Sequence, residues 1–151
     1  MAGQSTNAER RLEFEMRSER AAVPATVERI LHAVQAVGLP SDRIHDLAVA
    51  VSEALSNAAI HGNGLDPRKN VSVALTVLPG ERAEIEVKDQ GHGFDVARLA
   101  DPTDPEQILA TGGRGVFLMR RLVDRVDYLE GGSRVRLIVG KVRSGRGKAK
   151  A

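Results

Sequence analysis

The chain has 151 residues, no cysteine and only 3% aromatic residues. That length suits one domain with a full, mainly aliphatic core, and the lack of cysteine excludes disulfides and thiolate metal sites. The formal net charge is +2, but removing Arg143, Arg146, Lys148 and Lys150 from the terminal stretch takes it to −2. The basic excess therefore belongs to a solvated tail and argues against a direct nucleic-acid surface. Residues 1–11 carry no apolar signal core and no apolar run is long enough to span a bilayer. The expectation is a cytoplasmic protein with no membrane contact.

In chain order, Leu12, Phe14 and Met16 alternate with Glu13, Glu15 and Arg17, the period of a half-buried strand. Pro24 can open a helix, where its missing N–H costs nothing. Val27, Ile30, Leu31, Val34 and Val37 then form an apolar stripe, and Gly38 supplies a stop. Ser41 is placed to cap a second helix. Its apolar face is Ile44, Leu47, Val51, Leu55 and Ala58, with Asp46, Ala50, Glu53 and Asn57 opposite. Val71, Val73, Leu75 and Val77 predict a strand, residues 78–81 a turn, and Ile85 and Val87 a second strand, together an antiparallel hairpin. Residues 101–113 read as a long loop with one helical turn, and so long a loop in a compact domain is usually functional. A helix from Val116 to about Arg125 follows. A hairpin of Val126–Leu129 and Arg134–Val139 around Gly131 and Gly132 closes the chain. This order predicts an α+β fold, a two-layer sandwich of one mixed, mostly antiparallel sheet with helices on one face. The domain is expected over residues 11–141, between a flexible tail (1–10) and a basic, disordered tail (142–151).

Three segments carry chemistry. Glu53 and Asn57 are four apart and share a helix face. Alone, such a pair is ordinary on a solvated face. Here it sits within Ala-Leu-Ser-Asn-Ala-Ala, a stretch so poor in charge that the helix should be packed on most sides, where a carboxylate needs a partner. An amide oxygen suits Mg²⁺, which takes few protein ligands and keeps phosphates and water. Asp89 closes a strand before Gly91 and Gly93. It reads either as a turn residue or as an acceptor for an exocyclic amine such as that of adenine, with the glycines letting backbone approach a flat base. Guanine, which presents an oxygen there, would be repelled. Ser133 could support Asp89 directly or through water. The third segment, Thr111-Gly112-Gly113-Arg114-Gly115, precedes a helix. It is either a flexible loop or an anion site of free N–H groups with Arg114 as a fixed cation. A Gly-Lys-Ser/Thr P-loop is absent, and Val96 stands where a Gly-x-Gly-x-x-Gly motif needs its third glycine. His32, His45, His61 and His92 have no zinc-site spacing. His61-Gly62 should end the second helix, and His92 lies in the glycine turn.

Glu53…Asn57…His61-Gly62, Asp89-x-Gly91-x-Gly93-Phe94 and Gly112-Gly113-Arg114-Gly115 resemble the three ATP-binding boxes of GHKL (Bergerat-fold) ATPases. Within that group the chain is similar to the stand-alone serine kinases that act as anti-sigma factors in bacterial partner switching. The resemblance runs from about Leu12 to Val139. It implies an ATP- and Mg²⁺-dependent protein serine kinase in which Asn57 binds Mg²⁺ and Asp89 meets the adenine amine. Gly91 and Gly93 would shape the pocket, and Gly113, Arg114 and Gly115 would contact phosphates under a lid of residues 101–112. Glu53 would be the general base. Ser133 stands where the family more often has threonine. The implied partners are a STAS-type anti-sigma factor antagonist, phosphorylated on serine, and a sigma factor held inactive; a homodimer is compatible with the family. The alternatives are a non-catalytic ATP-binding switch that sequesters a partner, and a role in a phosphatase-activating, stressosome-like pathway.

Overall fold

The computed structural model describes residues 8–92 and 113–142, with the backbone alone at 113–117. The expectations about the lid, Gly93 and the two tails therefore lie wholly or mainly outside the described residues. Among the described residues five strands form one sheet: β1 (Arg10–Arg17), β2 (Asn70–Leu78), β3 (Arg82–Lys88), β4 (Arg125–Leu129) and β5 (Arg134–Gly140). Their order is β1-β2-β3-β5-β4, and each neighbouring pair is antiparallel. The helices are α1 (Val23–Val34), α2 (Ser41–Asn57) and α3 (Gly113–Leu122).

Side chains alternate across a strand, and here the alternation separates core from solvent. Val71, Val73, Leu75 and Val77 of β2 are buried together with Ala83, Ile85 and Val87 of β3 and Val135, Leu137 and Val139 of β5. They pack with Ile30 and Val34 of α1 and Leu47, Val51 and Leu55 of α2 in one cluster. The other face of the sheet is charged, with Arg136 Nε 3.0 Å from Glu86 Oε1 and Lys88 Nζ 3.0 Å from Glu130 Oε2. Lys88 holds the Glu130 carboxyl below the usual range. Such pairs at the solvent-facing side of a sheet contribute little to stability. The two-layer arrangement expected from the sequence is thus the one observed.

Local signals act largely as anticipated. Pro24 lies in the first turn of α1. Gly38 takes a left-handed φ of 78°, a conformation that only glycine adopts without penalty. Gly80, with φ 73°, turns β2 into β3.

Three expectations are corrected. Ser41 does not cap α2: it is the helix's first residue, Pro40 holds the cap position, and no side chain bonds the free N–H groups there. Ala50, expected opposite the apolar face, is fully buried, because α2 packs against α1, α3 and the sheet. The third helix spans 113–122 instead of 116–125. Its end is set by Asp124, whose N–H donates to Ile138 O (3.0 Å) and whose carboxylate accepts from Gly140 N (2.7 Å) and Arg43 (3.0 Å). This turns the chain into β4 at Arg125. The Arg43–Asp124 pair is buried, each side chain 6% exposed. Removing either partner would strand a charge in the interior.

Candidate active site

The last turn of α2 carries Glu53 and Asn57, both half-buried. Neither side chain makes a hydrogen bond with another described residue. Beyond Asn57 the helix widens into a π turn over Ala58–Gly62. Asn63 N donates to Ala58 O (2.8 Å) and Leu65 N to Ala59 O (2.9 Å). Wide turns of this kind interrupt α-helices often at functional sites. The expected end of the helix at His61-Gly62 is found, but as a widened turn.

Gly62 brings the end of α2 against the end of β3. A side-chain carbon on Gly62 would collide with the Asp89 carboxylate, and one on Gly91 would collide with Gly62 O. The end of α2 and the 89–91 turn therefore meet in a cradle that only glycine permits at these two points. Gly91, one of the predicted site residues, is placed here by close approach.

Asp89 is 9% exposed. Its Oδ1 accepts from Gly91 N at 2.8 Å, whereas Oδ2 has no hydrogen-bond partner among the described residues. Burial pushes its carboxyl above the ordinary value of 3.8, against the opposing effect of the Gly91 N–H and the charge of Lys69. A buried carboxylate with an open lone pair is costly unless a donor arrives to use it.

Ser133 is half-buried at the start of β5. Its carbonyl accepts from Asp89 N at 2.9 Å, while its hydroxyl donates to Glu130 O at 3.0 Å. It supports Asp89 through the backbone, so the direct hydroxyl contact considered from the sequence is not made. Gly113, Arg114 and Gly115 open α3, putting the glycine-rich segment at a helix start as expected. Among the described histidines His32, His45, His61 and His92 are all exposed.

Sequence reasoning missed Asn63. It is 2% exposed and uses its whole side chain: Oδ1 accepts from Gln90 N (2.7 Å), and Nδ2 donates to Ser18 Oγ (2.9 Å) and Asn70 O (3.0 Å). An asparagine just after a helix end looks like any turn residue. Only its burial distinguishes it, and no spacing signalled that.

The site thus combines a helix whose carboxylate and amide have no hydrogen-bond partner among the described residues, a glycine cradle at the end of that helix and a buried acceptor carboxylate after β3. This is the class of a nucleotide-binding ATPase domain. The chain belongs to the family described as histidine kinase-like ATPase domain, which matches residues 16–139. It is similar to the serine-protein kinase RsbW of Bacillus licheniformis, 41% identical over 96 residues that cover 60% of this chain and 59% of that protein. It is also similar to the RsbW of Bacillus subtilis strain 168, 35% identical over 96 residues (60% and 59%). That of Staphylococcus epidermidis is 36% identical over 112 residues (67% and 68%). The chain thus spans 59% of the length of the first of these relatives. In fold it resembles the RsbU and RsbW domains of Rv1364c from Mycobacterium tuberculosis, with TM-score 0.58 and 17% identity over 87% of this chain and 32% of that one. No described helix is long and apolar enough to cross a membrane.

Proposed function

We propose that the chain is an ATP-dependent protein serine kinase that acts as an anti-sigma factor. It would phosphorylate a serine of a STAS-type antagonist and, when the antagonist is phosphorylated, hold a sigma factor inactive. The observation that carries this reading is the buried Asp89 carboxylate, with one oxygen open beside the Gly62–Gly91 cradle and the Glu53–Asn57 face one widened turn away. An exocyclic amine of adenine would supply the donor that Oδ2 lacks among the described residues, and the bare backbone at Gly62 and Gly91 lets the carboxylate and the Gly62 carbonyl pack closely together beside the proposed base site.

Asn57, whose amide has no hydrogen-bond partner among the described residues, would offer its oxygen to Mg²⁺, which fits a metal that takes few protein ligands. When bound, the metal would neutralise charge on the phosphates. Gly113, Arg114 and Gly115 would hold those phosphates at the start of α3, and Gly93 would extend the base pocket beyond Gly91. Ser133 would keep Asp89 in place through its carbonyl. Glu53, one helical turn before Asn57, would take the proton of a serine hydroxyl as that oxygen bonds to phosphorus. The rest of such a reaction is positioning and charge stabilisation. The RsbW name of the relatives supports the same reading.

The test is incubation with labelled ATP, Mg²⁺ and a STAS-type protein encoded beside this chain. Label should appear on serine and disappear with EDTA. Metal-dependent ATP binding without transfer to any such neighbour would favour the non-catalytic switch.

A further inference from the structure

Asn63 lies outside the residues assigned above to base, metal, phosphate or proton transfer, yet both ends of its side-chain amide are engaged. Its Oδ1 holds the N–H of Gln90, the residue after Asp89, at 2.7 Å. Its Nδ2 reaches back to Ser18 Oγ and Asn70 O. Ser18 passes the link on, donating to Lys69 O at 2.6 Å, and Gln90 returns it by accepting from Asn70 N at 2.7 Å. The Asn63 backbone closes the π turn through Ala58 O. One residue therefore ties together the end of β1, the start of β2, the widened end of α2 and the turn after β3.

Asp89 hangs between two anchors. Its own N–H is held by Ser133 O, and the next N–H by Asn63 Oδ1. Of these, only the Asn63 anchor comes from a side chain. We infer that Asn63 is a positioning residue that sets the aim of the Asp89 carboxylate and thereby the preference for adenine over guanine. The inference rests on the nucleotide site proposed above. Without Oδ1, the Gln90 N–H loses its partner, the 89–91 turn is free to shift, and Oδ2 leaves the line on which an exocyclic amine would meet it. The phosphate contacts proposed at the start of α3 are not part of this bracket.

The experiment compares ADP and GDP affinities by calorimetry for the full chain, Asn63→Ala and Ser18→Ala, with thermal unfolding recorded for each. The parent chain should bind ADP in preference to GDP. Asn63→Ala should unfold cooperatively, lose about tenfold or more in ADP affinity and change little toward GDP, so that the preference narrows. A folded variant that loses ADP and GDP affinity equally, or keeps its full preference, overturns the inference and leaves the nucleotide site standing. A parent chain that binds neither nucleotide overturns the site itself. Should Asn63→Ala fail to fold, Ser18→Ala carries the comparison. It removes the acceptor behind the Asn63 amide, and there a narrowed preference supports the inference while an unchanged one overturns it.

Discussion

Glu53→Gln is expected to lower phosphoryl transfer to a protein serine by about 10²–10⁴-fold, while ATP affinity stays within about twofold. The carboxylate is half-buried on the last turn of α2 and has no hydrogen-bond partner among the described residues. It is not spent on holding the fold. Glutamine keeps its length and polarity, so the helix, Asn57 and the cradle should be unchanged. What is lost is the ability to accept a proton from the attacking hydroxyl. Transfer assays with saturating ATP, set beside calorimetric affinity, separate the two. A variant that transfers phosphate at the parental rate would remove Glu53 from the mechanism. A variant that loses transfer but still regulates its partner normally would favour the switch reading.

Asp89→Asn should weaken ADP binding by about 10²-fold or more. The amide oxygen can still accept from Gly91 N, which leaves its NH₂ facing the amine of adenine, donor against donor. The same NH₂ would suit the oxygen of guanine, so GDP should lose far less than ADP. The free protein should respond in the opposite direction. Burial raises the Asp89 carboxyl above 3.8, so the folded chain holds this proton more tightly than the unfolded chain does. The group's contribution to stability is then fully present below about 3.8 and is lost as pH rises through the raised value. At neutral pH the ionised carboxylate is a burden on the unliganded fold, and Asp89→Asn should melt no lower than the parent. An equal loss toward both nucleotides, or a large drop in melting temperature, would mean that Asp89 serves the fold and not the base.

The strands and the first two helices were legible because their signals are local and periodic. Val71 to Val77 alternate and are buried on alternation. Pro24 and Gly38 bracket α1 as their backbone preferences demand. The Glu53–Asn57 pair was legible as a shared face, and its packed surroundings followed from the scarcity of charge around it.

What escaped the sequence depends on contacts between distant segments. The early end of α3 is set by Asp124 meeting Arg43, Ile138 and Gly140, none of them near it in the chain. The π turn arises where Gly62 must approach Asp89, and periodicity continues through it unmarked. Asn63 looked like a turn residue because its partners, Ser18, Asn70 and Gln90, converge only on folding. Ser133 was chosen for its hydroxyl, yet it is the carbonyl that meets Asp89, a role open to any residue at that place just before β5.

The most direct test is a crystal structure of the chain with Mg²⁺ and ADP. The purine amine is predicted within hydrogen-bond distance of Asp89 Oδ2, over Gly62 and Gly91, with the metal on the side-chain oxygen of Asn57. A nucleotide bound elsewhere, or one whose base makes no contact with Asp89, would contradict the account.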